Sequence, residues 1–176
     1  MTKPLILISN DDGITSTGIR KLVGLMSQIG EVVVVAPDSP QSGMGHAITV
    51  GETLRLSKVD IFDGVEAYKC SGTPADCVKL AKYEVLKGRD IDLVVSGINH
   101  GANTSISVLY SGTMSAAIEG AIEGTPAIGF SLADFSWDAD FSHVDDVILQ
   151  VARETIKNGL PKGIALNVNL PVKQEE

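Results

Sequence analysis

Basic residues are scarce in this chain, and that scarcity removes several functions at once. Fourteen lysines and arginines stand against 22 acids, for a net charge of −8 with the three histidines neutral, and the isoelectric point is near 4.8. A grip on a nucleic-acid backbone needs basic patches that neutralise phosphates, so no nucleic-acid polymer is expected as a partner. Long apolar runs are missing too. None approaches the roughly 20 residues that a membrane-spanning helix requires, so no membrane partner is expected. Met1-Thr2-Lys3-Pro4 passes at once into a strand-like stretch too short for the core of a secretion signal. Cys70 and Cys77 are the only cysteines. They fall in a dense strand-to-helix pattern with no disulfide framework, so reduced core thiols in a cytoplasmic protein are expected. Lacking short spacing and clustered histidines, they make no thiolate zinc site. The chain also has no Gly-x-Ser-x-Gly elbow, no phosphate-loop lysine motif, and no Gly-x-Gly-x-x-Gly after its first strand.

What is present suits one domain over residues 1–176, large enough to bury a good core. Hydrophobic residues make up 44% of the chain, which with a mean hydropathy of +0.19 excludes disorder. Apolar runs bounded by turn residues alternate with helical periodicity, the pattern of an α/β protein with a mainly parallel sheet. Leu5-Ile6-Leu7-Ile8-Ser9 reads as a buried strand, with a helix face at Ile19, Leu22, Val23, Met26 and Ile29. Val32 to Ala36 reads as a central strand covered on both sides. Residues 52–71 suggest a hairpin about Asp63-Gly64, and Thr73-Pro74-Ala75-Asp76 opens a helix expected to reach about Leu86. Asp92 to Gly97 is a further strand, and Ile98 to Gly112 a long polar loop of the functional kind. A helix through Met114 and Ile122, a strand from Pro126 to Leu132, a helix through Val144 and Ile156 and a last strand from Ile164 to Leu170 complete the order. Asp134 to Asp140, with the single tryptophan Trp137, is expected to be an exposed excursion.

Three predicted loops follow strands and carry oxygen-bearing residues where an α/β sheet binds ligands. The first holds Asn10, Asp11 and Asp12, the second Ser39, Gln41 and Ser42, the third Asn99 and Asn103. Adjacent carboxylates repel and are tolerated when a cation or proton neutralises them, and the oxygen donors suit a hard ion such as Mg²⁺ or Mn²⁺. Each loop has an ordinary reading as well, since Asp-Asp-Gly is a common turn and asparagine a common Asx turn. Their shared placement after strands favours a ligand site. Ser111-Gly112-Thr113 opens a helix whose free N–H groups form an anion site, although an ordinary cap fits equally. His46, in the loop with Gly43, could contact phosphate or donate a proton. His100 is expected to face solvent, and His143 to be structural.

These motifs together resemble the SurE family of stationary-phase survival proteins, which are metal-dependent nucleotidases. The resemblance rests on Ser9-Asn10-Asp11-Asp12-Gly13, Val35-Ala36-Pro37-Asp38 with Ser42-Gly43 and Gly45-His46, and Ser71 to Val78. Ser96-Gly97-Ile98-Asn99, Tyr110-Ser111-Gly112-Thr113 and Asn167-Val168-Asn169-Leu170-Pro171 continue it in family order. It implies a Rossmann-like three-layer sandwich and one divalent ion per subunit (Mg²⁺, Mn²⁺ or Co²⁺) held by Asp11, Asp12, Ser42 and Asn99. It also implies hydrolysis of nucleoside 5′- and 3′-monophosphates, small-molecule substrates, with short polyphosphate as a further one. Asp11 and Asp12 would be catalytic, and Asn10, Gly43, His46, Asn103, Ser111, Gly112 and Thr113 would bind substrate. Family members continue past the last motif into a segment that builds dimers and tetramers. That segment is expected to be missing here, so a homodimer or homotetramer is expected where it exists. The competing function is a non-catalytic nucleotide or metal sensor. The competing mechanism is an aspartyl-phosphate route, which normally uses acids two apart.

Overall fold

The computed structural model describes residues 3–136 and 138–173. Its strands are β1 (Leu5–Ser9), β2 (Glu31–Pro37), β3 (Leu56–Val59), β4 (Glu66–Cys70), β5 (Leu93–His100), β6 (Ala127–Leu132) and β7 (Ala165–Leu170). Helices α1 (Thr17–Met26), α2 (Pro74–Leu80), α3 (Gly112–Ile122) and α4 (Asp145–Asn158) lie between them. One sheet orders the strands β3-β4-β2-β1-β5-β6-β7. Among the described residues only β3 runs antiparallel, making the expected hairpin with β4.

Apolar alternation along the strands feeds two cores. Ile6 and Ile8, with Val32, Val34, Leu93 and Val95, pack against Ile19, Leu22 and Met26 of α1 and Ile148 of α4. Leu5, Leu7, Val33, Val35 and Val94 turn the other way, onto Cys77 and Val78 of α2 and Met114 and Ala117 of α3. The result is a three-layer Rossmann-like sandwich. Because both faces of β1 are apolar, hydrophobicity alone leaves its register open. Polar end contacts fix it. Leu5 N donates to Asp92 Oδ2 at 2.7 Å, Asp92 N to Leu5 O at 2.9 Å, and Glu31 N to Pro4 O at 2.8 Å.

The chain winds outward from β1 through β2 to β4, then returns and winds through β5, β6 and β7 on the other side. The reversal lies between β1 and β5, and a crevice outside the carboxyl ends of those strands is where such sheets bind ligands.

Several boundaries differ from the sequence expectation. The helix expected to reach Leu86 is α-helical only to Leu80 and continues as a wide π turn over Ala81–Val85, closed by Leu86 N donating to Ala81 O at 2.7 Å. The strand expected to stop at Gly97 runs on to His100. A register shift against β6 between Ser96 and Asn99 lets polar residues extend it. The rest of the expected long loop contains a 3₁₀ turn over Ser105–Tyr110. Residues 134–136 and 138–140 have no helix or strand, with Phe135 79% exposed. Trp137 lies outside the described residues.

Candidate functional site

The acidic turn is held by Asn10, whose Nδ2 donates to Gly13 O and to Ser16 Oγ, both at 2.9 Å. Gly13 takes a φ of +91° to complete the turn. Asp11 is only 4% exposed and accepts a hydrogen bond from Thr113 Oγ1 at 2.5 Å. The start of α3 is pressed against it, and a Cβ on Gly112 would fall 2.4 Å from Asp11 Cβ. Glycine at this position is therefore what lets the helix terminus reach the acid.

Burial pushes the Asp11 carboxyl up, against the hydrogen bonds from Thr113 and the local backbone amides. Burial first, and then the charge of Asp11, raise Asp12 to about 6, with His100 pulling it down. Asp12 Oδ2 is buried without a hydrogen-bond partner. Among the described residues, no third His, Cys, Asp or Glu joins the pair as a metal-ligating cluster. Further ligands would therefore be neutral oxygens. Two acids, a hydroxyl and an amide make an all-oxygen donor set of the kind a hard divalent ion accepts, and the unpartnered Asp12 oxygen fits such an ion.

Asp11, Ser42, Gly43, Asn99, Asn103 and Ser111 line one cleft of about 290 Å³. Asp12, Ser42 and His100 border an adjoining hollow, so Ser42 belongs to both. The three predicted loops thus converge. Gln41 N donates to Asp11 O at 2.7 Å, tying the second loop to the first. Asn99 Nδ2 donates to Gly101 O at 2.7 Å, which leaves its Oδ1 as the atom for a ligand.

Other expected contacts stand further back. Asn10 and Thr113 are 1% and 0% exposed and support the acids from behind. Ser111 borders the cleft, but its hydroxyl caps α3 by accepting from Met114 N at 3.0 Å. His46 does not line the cleft; its Nε2 lies 2.7 Å from Glu119 Oε2. His100, expected to face solvent, is half-buried, pairs through Nδ1 with Ser136 O at 2.9 Å, and packs edge-on against Phe141. Tyr110, which opens the helix-start motif, and Phe135, from the expected exposed excursion, complete the rim. A second depression of about 300 Å³ lies along the α3–β6 and α4–β7 turns, and no acid lines it.

Comparison with known proteins decides the family. The family model described as Survival protein SurE matches residues 6–176. The chain belongs to the SurE family. It is 71% identical over 171 residues to a curated protein of Cytophaga hutchinsonii named 5′-nucleotidase SurE, covering 97% of this chain and 66% of that one. A Flavobacterium psychrophilum protein of the same name is 59% identical over 177 residues, with 100% and 68% covered. The crystal structure of the SurE protein from Aquifex aeolicus superposes with a TM-score of 0.88 at 40% identity, covering 97% of this chain and 67% of that one. The chain thus spans about two thirds of the length of these SurE proteins. Among its described residues, no helix is long and apolar enough to cross a membrane.

Proposed function

We propose that the chain carries the catalytic site of a divalent-metal-dependent phosphomonoesterase. Its substrates are nucleoside 5′-monophosphates, with 3′-monophosphates and short polyphosphates as further ones. The observation that carries this reading is the Asp11–Asp12 pair, with the start of α3 pressed against Asp11, at the crevice where the sheet reverses. The relatives named 5′-nucleotidase SurE support the choice of substrate.

Asp11, Asp12, Ser42 and Asn99 would hold one divalent ion per subunit, Mg²⁺, Mn²⁺ or Co²⁺. A bound ion supplies Lewis-acid polarisation and offsets charge on the phosphoryl group. The chain's own residues do the rest. Gly43 would receive the phosphate oxygens; the first amides of α3 are spent on Asp11 and on the Ser111 cap, so the helix start favours the anion through its dipole. Ser111 and Asn103 border the substrate, and Asn10 holds the acidic turn in shape. Asp11 is kept in place by Thr113, Asp12 Oδ2 would face the ion, and one of the two acids would orient or deprotonate the attacking water. The enzyme would work in the cytoplasm, as a homodimer or homotetramer where the family's assembly segment exists, and the exposed Ile106 and Leu109 would suit a subunit contact.

Phosphate release from AMP and GMP tests the proposal. It is expected with Mn²⁺ or Mg²⁺, to vanish with EDTA and to return when metal is added back. Nucleotide binding by calorimetry without metal-dependent release would instead favour the sensor.

A further inference from the structure

Among the described residues, Asp76 and Glu119 are deeply buried carboxylates for which the proposed reaction has no use, and Asp76 is accounted for by the capping box of α2. Glu119 sits on α3, beyond the turn that presses on Asp11, and is 2% exposed. Burying a carboxylate is costly unless it is paired, and an apolar residue of similar size would usually serve a helix face as well. Its two partners come from different parts of the chain. His46 Nε2 lies 2.7 Å from Oε2, and Lys79 Nζ on α2 lies 2.6 Å from Oε1. Lys79 also reaches Glu123 Oε1 at 2.9 Å, so the carboxylate is fixed from the far side.

The His46 partner matters because of where its backbone lies. The connection from β2 to β3, residues 38–55, has no helix or strand, and Ser42 and Gly43 form an exposed turn within it. On one side the turn is tied by Gln41 N donating to Asp11 O at 2.7 Å. On the other, the nearest ties are Gly45 N donating to Tyr110 O at 3.2 Å and the His46 side chain. Thr73 Oγ1 donating to Ala47 O at 2.7 Å and Thr49 Oγ1 donating to Asp76 Oδ2 at 2.7 Å hold the chain only further on. Gly45 adds closeness but little strength, since a Cβ there would come within 2.8 Å of Leu109 O.

We propose that His46 is a positioning residue, latched by Glu119 so that the Ser42–Gly43 turn is held over the acidic cleft. α3 then sets both walls of the site, Asp11 through Thr113 at one end and the glycine turn through Glu119 further along. The inference rests on the proposed reaction only for its kinetic consequence, and the latch itself is read without substrate or metal.

The test compares His46→Gln, His46→Asn and His46→Ala in the full chain. Gln places an amide nitrogen where Nε2 stands, whereas Asn stops short. Amide hydrogen exchange over residues 38–50 is measured in EDTA, with thermal melts as the check on folding. Exchange of the Met44 and Gly45 amides, which donate to Gln41 O and Tyr110 O, is expected to rise about tenfold in the Ala and Asn variants, the worth of one charge-assisted hydrogen bond, and to stay near wild type in the Gln variant. With Mn²⁺, the KM for AMP should rise about tenfold in the Ala and Asn variants, with kcat nearly unchanged. Wild-type exchange in the Ala and Asn variants, or loss in all three alike, overturns the latch. A wild-type protein that shows the exchange pattern but never releases phosphate refutes the proposed reaction and leaves the latch standing.

Discussion

Burial and the neighbouring charge of Asp11 leave Asp12 with a pKa of about 6, against 3.8 for an ordinary aspartate. The native state therefore binds a proton more readily than the unfolded chain. Stability from this group is fully present below about pH 4 and is lost as pH rises through about 6. Metal-free protein should accordingly melt at higher temperature at pH 5 than at pH 7. Asp12→Asn should remove the Asp12 share of that slope, leaving the share of the likewise raised Asp11, and should stabilise the metal-free protein at pH 7 by roughly 2 kcal/mol after allowance for partial exposure. Scanning calorimetry in EDTA at the two pH values checks both. The same substitution should lower phosphate release by about 10²–10⁴-fold. A variant both stable and active would remove Asp12 from the site. The Asp-Asp-Gly signal itself is readable in the sequence, because a buried strand rarely runs into adjacent acids unless a cation or proton neutralises them. The supporting role of Thr113 is not, since a helix-opening threonine reads as a phosphate contact until its hydroxyl is seen to be spent on Asp11.

The strands are readable as elements because β1 and β2 are apolar on both faces, and α2 because Thr73, Pro74 and Asp76 form a complete capping box. The extension of β5 is not, because Asn99 and His100 break the apolar run while remaining paired to β6. Least readable are ties between elements far apart in sequence. Asn103, which lines the cleft, has its N–H donating to Asn169 Oδ1 of β7 at 2.7 Å and its carbonyl accepting from Asn167 Nδ2 at 2.7 Å. Its own Nδ2 donates to Ser131 Oγ of β6 at 2.9 Å. The last asparagine motif thus acts as a clamp on the wall of the site, a role its position in a terminal strand does not reveal. Asn169→Ala leaves the Asn103 N–H without its acceptor and should cost about 1–3 kcal/mol. Melting temperature is expected to fall by several degrees and the KM for AMP to rise, while Asn158→Ala, on the exposed end of α4, should leave both unchanged.

At the scale of the whole molecule, the sheet brings the acidic turn after β1, the glycine turn after β2 and the asparagine at the end of β5 to one edge. The sequence order of the alternating elements foretells a mainly parallel sheet. The position of the winding reversal requires the strand order itself, which no local pattern encodes. Convergence at that reversal is what would make the proposed cation site from residues that are far apart along the chain. Anomalous diffraction from crystals soaked in Mn²⁺ tests it most directly. A peak within coordination distance of Asp11, Asp12, Ser42 and Asn99 oxygens is expected; a well-diffracting crystal with no peak there, or with manganese bound only elsewhere, would contradict it.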